Sequence, residues 1–188
     1  MLASFLVRMF FWLWFAAAIA AGHFLWLQKI PPLAVHGLTP GLAALLVLVY
    51  LRAAAVRRWV DALDLRALVL LHVTRFLGIY LLVLSQRGEL PRAFAVPGAM
   101  TDILVATMAL PVALAPIDES SRHRAIVIWN VVGLVGILLS LVTALRINLA
   151  DPSQLRALTH LPLSLLPTLL MPLMIATHVI IFVRTRAK

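Results

Sequence analysis

The sequence predicts an all-α fold, namely a polytopic transmembrane helical bundle with about six spans. Two compositional observations predict it: 63% of the 188 residues are apolar and only 12% are charged. A soluble domain is typically about half apolar and about a quarter charged. The third observation is a series of apolar runs of roughly 20 residues, the length at which a helix crosses a bilayer. We therefore expect residues 1–188 to form a single integral membrane domain.

Six apolar runs are long enough for a span, and the fourth is the shortest. Thr39 followed by Pro40 suits the capped start of the second helix, and Asp151 followed by proline and serine is typical of a turn or a new helix start. The sequence Ala18–Ala20 loosely resembles a signal-peptide cleavage site, and cleavage there would leave five spans. The expected spans cover residues 5–27, 38–56, 67–84, 102–117, 125–145 and 161–183.

The net charge of +9 comes from basic residues that lie mostly at the ends of apolar runs. There they would face lipid headgroups and set orientation. They form no patch interleaved with exposed aromatics, so nucleic acid is not an expected partner. With the N-terminus inside, ten basic residues fall on the inner side and five on the outer side, which predicts two cytoplasmic termini. The inner residues are Arg8, Arg52, Arg57, Arg58, Arg66, Arg122, Arg124, Arg184, Arg186 and Lys188, and the outer ones are Lys29, Arg87, Arg92, Arg146 and Arg156.

Several kinds of chemistry are excluded by what the sequence lacks. It contains no cysteine, which excludes disulfides and thiolate metal sites. It has no Walker A loop, dinucleotide fingerprint, HExxH or GxSxG motif, and no paired carboxylates for acid–base catalysis. These absences argue against an enzyme, and the one enzymatic alternative left open is a membrane-embedded enzyme that acts on lipid.

Arg75 lies near the middle of the third span. A charge at that depth costs roughly 2.5–3.5 kcal/mol on insertion scales, so the side chain should face the protein interior and find an acceptor. Its planar fork suits a carboxylate, a phosphate or several backbone carbonyls. Two interpretations stay open: Arg75 ties helices together, or it binds a ligand.

His72, Asn130 and His178 should lie at similar depth on three different spans. His72 and Arg75 are three residues apart and therefore share a helix face, and Gly78 on that face would admit another helix or a ligand. The two histidines could ligate a b-type haem, with Arg75 near a propionate, or hold a metal ion. They could also form hydrogen bonds with Asn130 or a nearby threonine.

A second set of candidates lies toward the outer face. Asp102 opens the expected fourth span, where its carboxylate could cap the helix or form a proton or cation site. The preceding segment Glu89–Gly98 contains two prolines and is too broken for a helix by its pattern. It is expected to be either an interfacial loop or a lid over the bundle.

These residues form motifs: His72-x-x-Arg75-x-x-Gly78, Leu90-Pro91-x-x-Phe94-Ala95-x-Pro97-Gly98 with Asp102, Trp129-Asn130-x-x-Gly133, and Leu166-Pro167 with Pro172 and His178. The set resembles a broad group of uncharacterised bacterial six-span inner-membrane proteins. The resemblance covers about residues 70 to 180 and implies no particular activity. Thr101 and Gly136 depart from the pattern of that group, which has a glycine before the aspartate and an acidic residue after the Trp-Asn pair.

The sequence therefore predicts a multi-pass protein of the bacterial inner membrane with a polar intramembrane site. The expected function is the binding, and by extension the transport, of a small polar or anionic ligand. The alternatives are a b-type haem redox protein with His72 and His178 as axial ligands, and an accessory subunit or assembly factor of a membrane complex. Expected partners are the lipid bilayer, the ligand, and either another membrane protein or further copies of the chain. The expected ligand-binding residues are His72, Arg75, Asn130, His178, Asp102 and Glu89.

Overall fold

The protein is all helical, which confirms the predicted fold class. A computed structural model describes residues 2–186, and these contain helices and turns but no strand. Three short 3₁₀ segments and one π turn lie between or within the helices. The helices are α1 Leu2–His23, α2 Pro32–Arg52, α3 Ala54–Asp61, α4 Leu65–Leu71, α5 Gly78–Gln86, α6 Arg92–Leu114, α7 Glu119–Ala150 and α8 Met171–Arg186. The 3₁₀ segments are Trp26–Lys29, His72–Leu77 and Pro152–Thr159, and the π turn is Leu166–Leu170.

Six of the helical stretches are long and apolar enough to cross a membrane, as the sequence predicted. Helices α4 and α5 and the 3₁₀ segment between them form one of these stretches. Large apolar side chains such as Trp12, Leu139 and Leu149 are exposed along them, as expected where the surroundings are lipid. The candidate spans are Phe5–His23, Pro32–Arg52, Leu65–Gln86, Arg92–Leu114, Glu119–Ala150 and Leu166–Arg186.

The start of the fourth span was predicted wrongly. Helix α6 begins at Arg92 rather than near residue 102, so most of the segment expected to be a broken loop or lid is helical. Pro91 precedes the first turn, and its carbonyl accepts hydrogen bonds from the N–H groups of Phe94 and Ala95. Pro97 lies inside the helix; proline is tolerated in membrane helices where the freed backbone groups find other partners.

Other boundaries also differ from the predicted ones. Helix α1 ends at His23, before residue 27, because Leu25 adopts a left-handed conformation with φ of 55° that interrupts the ladder of backbone hydrogen bonds. Helix α2 begins at Pro32, where proline suits the first turn, so Thr39 lies inside this helix and does not cap it. The fifth stretch is longer than its apolar core because polar residues continue the helix at both ends.

The chain divides into two compact units. The first comprises Met1–Ala62 and Leu145–Ala176, and the second comprises Leu63–Ala144 and Thr177–Lys188. The expectation of a single membrane domain stays a prediction. All the polar side chains discussed below as a candidate site belong to the second unit.

In the first unit, two carbonyls of the last span that lose their regular helical partners find side-chain donors. Pro172 cannot donate to the carbonyl of Thr168, and that oxygen accepts from Trp14 Nε1 at 2.9 Å. The π turn directs the N–H of Met171 to Leu166, and the carbonyl of Pro167 accepts from Thr39 Oγ1 at 3.2 Å. Both carbonyls are therefore satisfied although the helix is irregular there.

Aspartates cap three of the helical segments. The Asp64 carboxylate accepts from the N–H of Arg66 before α4, and Asp151 does the same for Ser153, which confirms the predicted helix start there. Asp118 precedes α7 and accepts from the Ser120 hydroxyl at 2.6 Å and from the N–H of Ser121 at 2.9 Å. These hydrogen bonds favour the ionised carboxylate and lower the pKa of Asp118.

Arg122 holds the end of α6. Its guanidinium donates to the carbonyls of Ala113 at 3.0 Å and Ala115 at 2.8 Å, and more distantly to those of Val112 and Ile117. The last carbonyls of a helix have no partner within the helix, and a cation at the C-terminus also interacts favourably with the helix dipole. The side chain is 6% exposed, so its partners gain little from water.

Replacing Arg122 with Ala is therefore expected to lower the free energy of unfolding by about 2–3 kcal/mol, because buried carbonyls lose a charged donor. Arg124, two residues further along and exposed, is the matched control, and Arg124→Ala should change stability by less than about 0.5 kcal/mol. Thermal unfolding of both variants in the same detergent measures this. Equal losses in the two variants would show that Arg122 does not hold the end of α6.

Candidate functional site

The third span changes its helix type where its polar residues lie. Helix α4 ends at Leu71, a 3₁₀ segment covers His72–Leu77, and α5 begins at Gly78. A 3₁₀ helix has three residues per turn, so side chains three positions apart lie directly above one another. His72 and Arg75 are spaced by this interval, and both are buried, with 0% and 5% of their surface exposed.

Arg75 is paired with Asp102 of α6. Nε donates to Asp102 Oδ1 at 2.8 Å, and Nη2 lies 2.7 Å from the same oxygen without the alignment of a hydrogen bond. Nη1 donates to the Gly133 carbonyl and approaches His178 Nε2, each at 3.2 Å. The side chains of Arg75 and Asp102 are only 4% and 9% exposed. The charge that the sequence left without a partner is therefore neutralised inside the protein.

Two glycines make this arrangement possible. A methyl group on Gly78 would lie 2.9 Å from Asp102 Cβ and 3.1 Å from the Ala99 carbonyl, so the glycine lets α5 approach α6 closely. A methyl group on Gly133 would collide with the His178 ring and lie 3.2 Å from Arg75 Nη1. Any larger residue at either position would displace a member of the site.

The hydrogen bonds of His178 define its tautomer. Arginine can only donate, so His178 Nε2 accepts from Arg75 and carries no proton. The proton of the neutral ring therefore lies on Nδ1, which donates to Asn130 Oδ1 at 2.7 Å. Asn130 Nδ2 in turn donates to the backbone carbonyl of His178 at 3.0 Å. Asn130 thus fixes both the orientation and the protonation of this histidine.

His72 lies between aromatic rings. Its ring is 4.2 Å from that of His178 and 5.0 Å, edge to face, from that of Trp129. Its Nε2 is 3.0 Å from Thr177 Oγ1. Its Nδ1 is buried and has no hydrogen-bond partner among residues 2–186, and Arg75 Nη2 also lacks a hydrogen bond there. Buried polar atoms are paired in the great majority of cases, so the unpaired His72 Nδ1 and the poorly aligned contact of Arg75 Nη2 with Asp102 require an explanation.

The two histidines do not fit a b-type haem in this arrangement. Axial ligation requires the macrocycle to lie between the rings, with a nitrogen of each ring directed at the iron. The ring centroids of His72 and His178 are only 4.2 Å apart, at an interplanar angle of 43°, and both nitrogens of His178 are already bonded within the protein. Within residues 2–186 no third histidine, aspartate or glutamate joins them to form a metal-binding group.

The structure brings together five of the six predicted ligand-binding residues. His72, Arg75, Asn130, His178 and Asp102 form one buried cluster, called here the Arg75 cluster. Glu89 is exposed in the turn before α6, and none of the contacts of the cluster includes it. Asp102 lies ten residues inside α6, so the expected capping role was wrong and its carboxylate pairs with Arg75.

Sequence reasoning gave no role to Trp129 or to the Gly133 carbonyl. Trp129 packs against both histidine rings, at 5.0 Å and 5.5 Å, and anchors itself by donating from Nε1 to the Val105 carbonyl at 2.9 Å. Gly133 accepts from Arg75. The spacing of the Trp-Asn-x-x-Gly motif was a usable signal, because Asn130 and Gly133 are three residues apart and share a helix face.

The fold and the cluster together define the class of protein. It is an all-helical protein with six long apolar helical stretches suited to a multi-pass membrane protein, and it contains a buried ion pair between Arg75 and Asp102. A family model described as a domain of unknown function (DUF8737) matches residues 32–186. The chain belongs to this family. No curated protein and no solved structure matches the chain.

The ion pair between Arg75 and Asp102 should be strongly coupled. Removing one partner leaves the other buried and uncompensated, so Arg75→Gln and Asp102→Asn are each expected to cost about 3–5 kcal/mol. The double variant should cost clearly less than the sum of the two, because it leaves no unpaired charge. Thermal unfolding of the four proteins in detergent measures the coupling.

The exposed pair Arg66–Glu119, at 2.6 Å with side chains 41% and 78% exposed, is the control. A double-mutant cycle made from Arg66→Gln and Glu119→Gln should give a coupling free energy of no more than about 1 kcal/mol between these two side chains. If the losses of stability in Arg75→Gln and Asp102→Asn simply add in the double variant, the two side chains are not energetically coupled.

Proposed function

We propose that this chain is a multi-pass protein of the bacterial inner membrane that binds a small polar or anionic ligand at the Arg75 cluster. One observation carries the proposal: in a buried and otherwise hydrogen-bonded cluster, Arg75 Nη2 and His72 Nδ1 have no hydrogen-bond partner within residues 2–186. Both atoms belong to groups that commonly bind polar ligands. A ligand that bonds to them would complete the hydrogen bonding of the cluster.

The contacts of Arg75 also favour a ligand site over a purely structural tie. Arg122, which holds a helix end, donates from both of its terminal nitrogens to four carbonyls, and only its Nε, 3.4 Å from a Glu119 oxygen, has no hydrogen bond. Arg75 instead contacts one oxygen of one carboxylate with two of its nitrogens. Its terminal Nη2 is thereby left without a well-aligned hydrogen bond within residues 2–186. Arg75 therefore retains a terminal donor for a ligand.

The ligand proposal is tested by the thermal stability of the purified protein with three probes: acetate, its neutral isostere acetamide, and inorganic phosphate. A ligand at about 100 times its Kd stabilises a protein by about 2.7 kcal/mol, so at least one probe should raise Tm. The shift should disappear in Arg75→Gln and persist in Arg57→Gln, which removes an exposed arginine. If no probe raises Tm, or if Arg75→Gln keeps the shift, the proposal is wrong.

We also propose that both termini lie in the cytoplasm, because ten basic residues would then lie inside and five outside. The chain has no cysteine, so single cysteines can report the topology directly. A membrane-impermeant thiol reagent added to intact spheroplasts is expected to label Arg87→Cys and not Arg58→Cys, both of which are exposed positions. After permeabilisation both should be labelled. Labelling of Arg58→Cys in intact spheroplasts would contradict the proposed orientation.

A further inference from the structure

An anion that approaches Arg75 meets the carboxylate of Asp102, which is already bound there. Asp102 Oδ1 occupies the edge of the guanidinium formed by Nε and Nη2, which is an edge that binds carboxylates and phosphates through two parallel hydrogen bonds. The remaining nitrogen, Nη1, is held by the Gly133 carbonyl and His178 Nε2. An anion can gain a two-point contact with Arg75 only where Asp102 now lies.

Exchange of one anion for the other is constrained by charge. With Asp102 ionised, the Arg75 cluster carries one positive and one negative charge and is neutral overall. An added anion would leave a net negative charge among side chains less than one-tenth exposed, and burial of an unpaired charge is strongly unfavourable. The buried cluster stays neutral if Asp102 takes up a proton as the anion binds.

We infer that a small carboxylate binds Arg75 in exchange for Asp102, together with one proton that Asp102 takes up. This inference rests on the proposed function and names the ligand class and the regulation of that site. The exchange balances: an ionised Asp102 paired with Arg75, plus the carboxylate and a proton, gives a neutral Asp102 carboxyl and a carboxylate paired with Arg75. Each side has zero net charge, so carboxylate and proton bind as an electroneutral pair.

The other groups of the cluster do not offer an equivalent place for the proton. His178 Nε2 accepts from Arg75, and a proton on that nitrogen would bring two positive charges within 3.2 Å. His72 Nδ1 is open, but a proton there would leave Asp102 ionised beside the incoming anion. Within residues 2–186, the other charged and titratable groups of the Arg75 cluster are Arg75 and His72 from the third span and His178 from α8, while α7 contributes the uncharged Asn130 and the Gly133 carbonyl.

Isothermal titration of the full-length protein in nanodiscs with acetate tests the inference. Acetic acid loses its proton well below neutral pH, as other carboxyls do, so free acetate is ionised between about pH 6 and pH 8. Any proton that the protein takes up on binding is therefore supplied by the buffer. Titrations in buffers of different ionisation enthalpy give the number of protons taken up per acetate bound. We expect about one, and an affinity that rises about tenfold for each unit by which the pH falls.

Asp102→Asn is the discriminating variant, because it removes the proton site and leaves Arg75 without an anionic competitor. Acetate should bind this variant more tightly at neutral pH, with no proton uptake and no pH dependence in that range. Asp102→Glu keeps a carboxyl and should keep the proton uptake. If Asp102→Asn does not fold, the proton count and pH dependence of the wild-type protein decide the matter.

The outcomes separate the inference from the proposed function. Acetate binding that takes up no proton, or a proton uptake that survives in Asp102→Asn, overturns the exchange and leaves the ligand site standing. Binding of phosphate or acetamide but not of acetate overturns the carboxylate class only. If none of the three probes binds in a way that depends on Arg75, the proposed function fails and the inference fails with it.

Discussion

The buried charge of Arg75 is the constraint on which the second unit of the protein depends. A guanidinium cannot lose its charge by deprotonation, so it must be paired wherever the chain places it away from water. The protein pairs it with Asp102 at 2.7–2.8 Å and gives the remaining terminal nitrogen a carbonyl and a neutral imidazole. Such a pair gains stability only if geometry and additional hydrogen bonds offset the loss of hydration, and the neighbouring residues serve that requirement.

Backbone irregularities in this protein coincide with polar contacts. The 3₁₀ segment His72–Leu77 aligns a histidine and an arginine along one side of the third span. In the first unit, the π turn Leu166–Leu170 and Pro172 leave carbonyls that Thr39 and Trp14 satisfy. Within a membrane every backbone polar group must be satisfied inside the protein, and here the side chains of Thr39 and Trp14 supply the hydrogen bonds that a regular helix would have supplied.

The sequence predicted the helical class and the number of candidate spans because apolar run length depends mainly on the bilayer. It also predicted that Arg75, His72, Asn130 and His178 lie together, because their depths follow from their distance to the ends of the runs. It missed the start of α6, since the prolines at 91 and 97 suggested a loop. Whether a helix tolerates such prolines depends on tertiary partners that a local pattern does not encode. Because the sequence placed Asp102 at a helix start, it did not predict the pairing of Asp102 with Arg75.

The most direct test of the account is solid-state NMR of the protein in lipid bilayers, with arginine labelled with ¹⁵N and aspartate carboxyls with ¹³C. The signal of Asp102 is identified by its loss in Asp102→Asn, since the sequence has only five aspartates (Asp61, Asp64, Asp102, Asp118 and Asp151). We expect an ionised Asp102 at neutral pH, with strong dipolar coupling between its carboxyl carbon and the Nε of an arginine, and we expect Arg75→Gln to abolish this coupling. A protonated Asp102 without that coupling would contradict the ion pair and everything built on it.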